Sequence, residues 1–428
     1  MKFELMHPAE QISMIMERIY VYGMTTTSGG NLSILDNEKN IWITPAGVDK
    51  GSLTHKDIVC IRHDGTVSGN HKPSSELPFH KQIYEKRPDI KAILHAHPPA
   101  LVAFSITRKI PDINLIPNVR LICGDTGIAG YALPGSSELS KKITAVFKKG
   151  ISTVILENHG IVVGAPDLFK AFMAFETLDF CARLEINANI IGKPVSLSQK
   201  DIEVSKNKQL SDIGEYTPKG YSGFEKAARK EMCRLIHRAY KQKLFTSTQG
   251  TFSQRLDDGS FILTPYGIDR KYLDTADIVK IKNGLKEKGK TPSRSLLLHK
   301  YIYQKHSHIN SIIISHPPNI MAFAVTRKKF NSKTIPESYI LLRDVSKLPF
   351  GSSFMHPERA AGTFKKGVPM AIVKNDCVIV TGNSLLNAFD TLEVAEFTAK
   401  SIIASKSIGE IINIGENEIT DIKKAFQI

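Results

Sequence analysis

Between residues 9 and 22 the apolar positions Ile12, Met16 and Ile19 fall at the spacing of one helical face, and Gly23 ends the pattern. The period then shortens. Residues 31–35, 41–44 and 58–62 read as short strands, and a helix is expected from Ser75 to about Lys86, with Ser74 or Ser75 as its cap. Residues 90–97 form an apolar strand that closes on Ile93-Leu94-His95-Ala96-His97 before Pro98-Pro99 stops it. Residues 100–105 open another helix, and 137–149 form one capped by a serine. Residues 153–156 and 160–163 read as a hairpin turning through Glu157-Asn158-His159, and 167–190 as a long helix. This alternation predicts an α/β fold with a mainly antiparallel sheet flanked by helices.

The pattern occurs twice. Ser28-Gly29-Gly30-Asn31-Leu32-Ser33 returns as Thr248-Gln249-Gly250-Thr251-Phe252-Ser253, and IWITPAGVDK (41–50) as FILTPYGIDR (261–270). Pro73-Ser74-Ser75-Glu76 matches Pro292-Ser293-Arg294-Ser295, and His97-Pro98-Pro99 matches His316-Pro317-Pro318. Asn158-His159-Gly160 corresponds to Asn375-Asp376-Cys377. Order and spacing hold throughout, which predicts a tandem duplication of one domain. Residues 194–220 are polar and lack apolar periodicity. The expected division is a first domain at 1–205, a linker at 206–218 and a second domain at 219–428.

Composition narrows the class. The chain has 428 residues, 42% hydrophobic and 23% charged, which suits two globular domains of ordinary size. Its five cysteines are scattered with no Cys-x-x-Cys, as expected of reduced thiols. The start, MKFELMHPAEQ, is unlike a signal peptide, and no apolar stretch reaches membrane-spanning length, so the expected location is the cytoplasm. The formal charge of +15 is dispersed, without an aromatic-interleaved basic stripe. Neither nucleic acid nor membrane is expected as a partner, while an anionic substrate suits the positive field.

The candidate chemistry gathers at element ends. His95 and His97 are two apart, so one strand directs both imidazoles to the same side, where they can grip one ion. His159 sits at the hairpin turn, either as a turn residue or as a third ligand. Glu76 sits at a helix start, where it complements the dipole or serves a metal as ligand or general base. Three histidines with an open position suit catalytic zinc. Ser28-Gly29-Gly30-Asn31, the helix start at Ser74 and Ser75, and the Thr44-Pro45-Ala46-Gly47 turn, read as carrying free amides, all suit an anion.

Taken in order, Gly30-Asn31-x-Ser33, Thr44-Pro45-x-Gly47, Pro73-Ser74-Ser75-Glu76, His95-x-His97 and Asn158-His159-Gly160 resemble the class II aldolase/adducin family. The likeness is closest to members that cleave a ketose 1-phosphate such as L-fuculose 1-phosphate. It covers residues 9–200 and, more weakly, 221–405. The resemblance implies two tandem class II aldolase-like domains. It also implies that His95, His97, His159 and Glu76 bind Zn²⁺ or another divalent metal, one per chain in the first domain. Glu76 would double as acid/base, and Asn31, Gly47, Ser74 and Ser75 would hold the substrate phosphate. The implied reaction is carbon–carbon cleavage to dihydroxyacetone phosphate and an aldehyde. A pentulose-phosphate 4-epimerase, a dehydratase or a non-catalytic scaffold like adducin remain alternatives on the same fold.

Two departures stand out. The aldolases bring a tyrosine, after an Ile-Pro pair, from a neighbouring subunit; Ile110-Pro111 is followed by none, whereas Ile335-Pro336 is followed by Tyr339. The second copy replaces Glu76, His95 and His159 with Ser295, Ile314 and Asp376, keeping only His316. It reads as degenerate, its metal ligands lost. The expected assembly is a homo-oligomer, a dimer forming a pseudo-tetramer of domains, with Tyr339 as a further catalytic residue.

Overall fold

The computed structural model of the chain describes residues 3–428. Two compact units emerge, one holding residues up to 113 together with 118–183, the other holding 114–117 with 184–428.

The first unit contains helices α1 (Pro8–Val21), α2 (Leu77–Lys86), α3 (Pro99–Ile106), α4 (Pro117–Cys123, from residue 118), α5 (Ser137–Phe147) and α6 (Leu168–Ile191, as far as residue 183). Its strands are β1 (Asn31–Leu35), β2 (Ile41–Ile43), β3 (Val59–Ile61), β4 (Val67–Ser68), β5 (Ala92–Ala96), β6 (Thr126–Ala129), β7 (Thr153–Leu156) and β8 (Ile161–Ala165). They form one sheet in the order β4-β3-β2-β1-β5-β8-β7-β6, antiparallel throughout except for the β6–β7 pair. Strand β5 is therefore central. Its five residues are all buried, His95 included, with helices on both sides of the sheet. On one side Phe79, Ile83 and Tyr84 of α2 and Leu139, Ile143 and Phe147 of α5 pack on Ile43, Val59, Ile93, Val154 and Val162. On the other, α1 lies against β1 and β2.

Local chemistry sets the boundaries. His7 Nδ1 accepts from Ala9 N at 3.2 Å, Pro8 begins α1, and Gly23 leaves it at φ 65°. Helix α2 does not begin at Ser75 as the sequence suggested. Pro78 belongs in a first helical turn, so the helix starts at Leu77 with Glu76 as its cap residue, and neither serine side chain caps it. Strand β5 ends one residue before His97, whose N–H turns to Met24 O at 3.2 Å.

The second unit repeats this plan. It comprises α7 (Gln199–Ser205), β9 (Glu215–Tyr216), α8 (Gly223–Lys241), β10 (Thr251–Arg255), β11 (Phe261–Leu263), β12 (Val279–Lys282), β13 (Leu285–Glu287), α9 (Leu296–Lys305) and β14 (Ser311–Ser315). Then follow α10 (Ile320–Val325), α11 (Pro336–Leu342), β15 (Val345–Leu348), α12 (Pro357–Ala361), β16 (Met370–Val373), β17 (Cys377–Gly382), α13 (Leu385–Ser405) and α14 (Glu416–Phe426). The sheet order is β15-β16-β17-β14-β10-β11-β12-β13-β9. Apart from β9 this is the order of the first sheet. The registers agree: Asn31 faces His95 across β1–β5, and Thr251 faces Ile314 across β10–β14. Within the stretch read as linker, Glu215 and Tyr216 add a strand parallel to β13. Among the described residues no helix is long and apolar enough to cross a membrane, and the five cysteines are free and buried.

Candidate metal centre

The centre is built on the β5 end, the β7–β8 turn and the start of α2. The β7–β8 turn is tight because Asn158 takes φ 53°, a conformation asparagine tolerates, and this swings His159 toward β5. Among the described residues His95, His97 and His159 form a group whose ligand nitrogens all lie within 4.8 Å of one another.

Each ring is held from behind or beside. His95 is fully buried, and its Nδ1–H donates to Ile161 O at 2.9 Å, which turns Nε2 inward toward the other ligand groups. That Nε2 lies 3.0 Å from His97 Nε2 and 3.2 Å from Glu76 Oε2. His159 Nε2 lies 3.9 Å from Glu76 Oε1. The motif glycines have a steric purpose here. A Cβ on Gly29 would stand 2.8 Å from His97 Nδ1, and one on Gly160 would stand 2.5 Å from His97 Cδ2 and 2.6 Å from Ala96 O. Only glycine lets both loops close on that ring.

The electrostatics follow from this crowding. Burial works against a charged Glu76, but the adjacent His95 ring, with hydrogen bonds from His95 and Asn31, holds its carboxyl well below the usual range. Burial likewise opposes charge on His95, yet the Glu76 carboxylate more than offsets it and raises the ring's pKa. Burial and the neighbouring rings push His97 down to about 3 and His159 to about 4. Two neutral imidazoles thus face a carboxylate–imidazole pair. Glu76 Oε1 is buried and accepts no hydrogen bond, and His159 Nδ1 is buried without a partner. Three nitrogen donors and a carboxylate oxygen lacking a donor fit a divalent cation such as zinc.

The residues expected to hold phosphate are gathered beside this group. An isolated bridge joins Pro45 to Pro73, so the Thr44–Gly47 turn lies against the segment carrying Ser74 and Ser75. Gly47 takes φ 67°, Ser75 is exposed, and Ser74 Oγ accepts from Glu76 N at 3.3 Å. The amides of this turn are not all free as expected: Ala46 N–H is spent on Lys72 O at 2.9 Å, because the Pro45–Pro73 bridge pairs the two segments. Asn31 points inward, giving its Nδ2–H to Glu76 Oε2 at 2.7 Å. Tyr339 belongs to α11 of the second unit and is 9% exposed.

Sequence reasoning missed the groups behind the site. His80 Nε2 lies 2.6 Å from Asn31 Oδ1, and Ser33 Oγ lies 2.6 Å from both His80 Nδ1 and Tyr84 Oη. Lys50 Nζ donates to Pro45 O at 2.6 Å and secures the Thr44–Gly47 turn. The repeat carried the signal, since Ser253, His299, Tyr303 and Arg270 stand at the matching places.

In the second unit the equivalent place is filled by protein. Lys208 Nζ lies 2.9 Å from Asp376 Oδ1, and Ser353 Oγ–H donates to Asp376 Oδ2. Thr251 Oγ1 and Ser293 Oγ are 2.7 Å apart, with Ser295 Oγ 3.0 Å further. An ammonium and one hydroxyl thus hold the one acid, and among the described residues no group of three metal-ligating side chains forms there.

The family described as class II aldolase and adducin N-terminal domain matches residues 10–186 and again 230–403. A 5-deoxy-D-ribulose 1-phosphate aldolase of Bacillus thuringiensis serovar kurstaki is 33% identical over 204 residues, 45% of this chain and 91% of the relative. An L-fuculose phosphate aldolase of Methanococcus maripaludis is 34% identical over 180 residues, 42% of this chain and 94% of the relative. A 3-oxo-tetronate 4-phosphate decarboxylase of Haemophilus influenzae is 31% identical over 169 residues, 39% of this chain and 80% of the relative. A solved L-fuculose 1-phosphate aldolase is 32% identical, covering 47% of this chain and 95% of its own, with a TM-score of 0.42.

Proposed function

The chain belongs to the class II aldolase and adducin N-terminal domain family, and on that premise we propose that its first unit is a metal-dependent lyase cleaving a ketose 1-phosphate. The carrying observation is the convergence of His95, His97 and His159 on one point, with the hydrogen-bond-deficient Oε1 of Glu76 beside it. The three imidazoles and Glu76 would hold a divalent cation, which supplies Lewis acidity toward the ketose oxygens.

The chain's own residues do the rest. Gly47, Ser74 and Ser75 bind the substrate phosphate at the exposed mouth and orient the sugar toward the buried histidines. Asn31 joins them through its second Nδ2–H, the first staying on Glu76 Oε2. Glu76, buried and ionised at rest, takes up the proton of a substrate hydroxyl and returns it to the carbon losing the aldehyde. Tyr339 is the candidate for proton transfer at the leaving hydroxyl, on the strength of its place after Ile335-Pro336. The second unit, with Lys208 set against Asp376, is the non-catalytic copy.

The test is a panel of 1- and 5-phosphorylated ketoses assayed for dihydroxyacetone phosphate release. L-fuculose 1-phosphate and 5-deoxy-D-ribulose 1-phosphate stand first, because relatives at about one-third identity are named for them. Glu76→Gln should abolish release and Tyr339→Phe should slow it. A Glu76→Gln enzyme that turned over normally would remove the acid/base role. Release from no ketose, with carbon dioxide formed from 3-oxo-tetronate 4-phosphate, would replace the lyase by the decarboxylase reading that a third relative raises.

A further inference from the structure

We propose that His80 is a positioning residue for Glu76, acting through the Asn31 carboxamide. The inference rests on the acid/base role proposed for Glu76.

The hydrogen-bond directions are forced. The Asn31 carboxamide offers its Nδ2–H to Glu76 Oε2, across 2.7 Å. Asn31 Oδ1 then points away, to His80 Nε2 at 2.6 Å, and that nitrogen must carry a hydrogen. The His80 ring is fully buried and neutral, so its Nδ1 is bare and accepts from Ser33 Oγ–H at 2.6 Å. With its hydrogen spent, Ser33 Oγ accepts from Tyr84 Oη–H at 2.6 Å. One relay of donors therefore runs Tyr84, Ser33, His80, Asn31, Glu76. Reversing the Asn31 amide would set its oxygen against a carboxylate. His80 Nε2–H, on Oδ1, holds the same orientation from the other side.

The second unit is an internal control. Ser253 Oγ lies 2.6 Å from His299 Nδ1 and 2.7 Å from Tyr303 Oη, so the serine–histidine–tyrosine part is the same. Thr251 and Ser295 stand where Asn31 and Glu76 do, and His299 Nε2 is buried with no partner. The fold thus keeps the triad without needing a bond at Nε2. What differs in the first unit is the step from Nε2 to Asn31 and on to Glu76, which only the metal centre uses.

Four measurements on the full-length protein test this. His80→Leu should weaken Co²⁺ binding about 10–100-fold, the usual effect of losing an orienting group behind a ligand. It should lower kcat for the cleaved ketose phosphate by about the same factor, with KM within about twofold. His80→Gln, which can place an amide N–H near the Nε2 position, should restore most of both. His299→Leu empties the matching triad and should lower thermal stability much as His80→Leu does, while leaving Co²⁺ affinity and kcat within about twofold. Unchanged Co²⁺ affinity and kcat in His80→Leu would overturn the proposal. So would an equal loss in His299→Leu, or a failure of His80→Gln to restore either. If no ketose phosphate is cleaved, the lyase reading fails, while the Co²⁺ titrations still decide whether His80 positions Glu76.

Discussion

Lys208→Met in the second unit tests whether an ammonium now does there what a metal would do in the first. Asp376 is 2% exposed and keeps only the Ser353 hydroxyl and its neighbours once Lys208 Nζ, 2.9 Å away, is removed. Breaking a buried pair by deleting one partner costs about 3–5 kcal/mol. Protonation sets a ceiling, since neutralising an Asp of ordinary pKa costs about 4 kcal/mol at pH 7 and about 1.5 at pH 5. The expected loss is thus about 3–4 kcal/mol at pH 7, falling to about 1.5 at pH 5. The sign follows from the wild-type carboxyl. Burial alone would raise its pKa, but Lys208 and Ser353 hold it low, so the pair's stabilisation is present above pH 4 and lost in acid. At about 2–4 °C per kcal/mol for a unit of this size, the second unit should melt roughly 6–16 °C lower at pH 7. Calorimetry of wild type, Lys208→Met and Lys208→Met/Asp376→Asn at pH 5 and 7 measures this. The double variant should regain most of the loss. A loss below about 1 kcal/mol at pH 7, or one that grew in acid, would refute the reasoning.

Gly160→Ala should displace the His97 ring, because the new Cβ would stand 2.5 Å from its Cδ2 with backbone on the other side. Zinc affinity measured by competition with a chelator should fall about 10-fold or more, and an unchanged value would show that the ring is not a ligand. His299→Gln should flatten the acid limb of stability. Burial lowers the folded His299 to about 3, so below pH 6.5 only the unfolded state takes up the proton, and stability falls toward pH 3. Wild type therefore loses about 2 kcal/mol at pH 5 through this ring alone, and the variant's urea midpoint should change less between pH 7 and 5. Equal pH slopes in the two proteins would mean that the ring is not held neutral.

The fold was legible because the strands and helices of each copy are written in period and punctuation. The run 92–96 was read as a strand from its apolar residues, and it forms the buried centre of the sheet. The histidine cluster was legible through the repeat. His95 became Ile314 with no change in strand register, so the fold does not require the imidazole. What could not be read lay where side chains meet across distant segments. Nothing in the sequence couples Lys208 to Asp376, because their contact depends on how residues 206–218 return to the sheet. The start of α2 was missed by two residues because Ser74 and Ser75 look like caps, whereas Pro78 decides the first turn.

The two copies also separate what buried polar groups do for folding from what they do for chemistry. An unpaired buried polar group costs about 1–3 kcal/mol, so such groups are kept in pairs or lost together. Ser253, His299 and Tyr303 remain together, matching Ser33, His80 and Tyr84 with contacts of 2.6–2.7 Å in both units. Glu76, His95 and His159 are replaced together, and the one acid standing in their place, Asp376, has a lysine against it. A metal-ligand set that loses one donor leaves the others crowded, neutral or miscoupled, as the 3.0 Å approach of two imidazole nitrogens in the first unit illustrates. Substitution by Ile314, Ser295 and a Lys208–Asp376 pair relieves that crowding within the same strands and turns. The first unit keeps the crowding, with Glu76 Oε1 short of a donor and two imidazoles held neutral by burial. That the fold dispenses with this arrangement in one copy and retains it in the other supports the chemistry proposed for it.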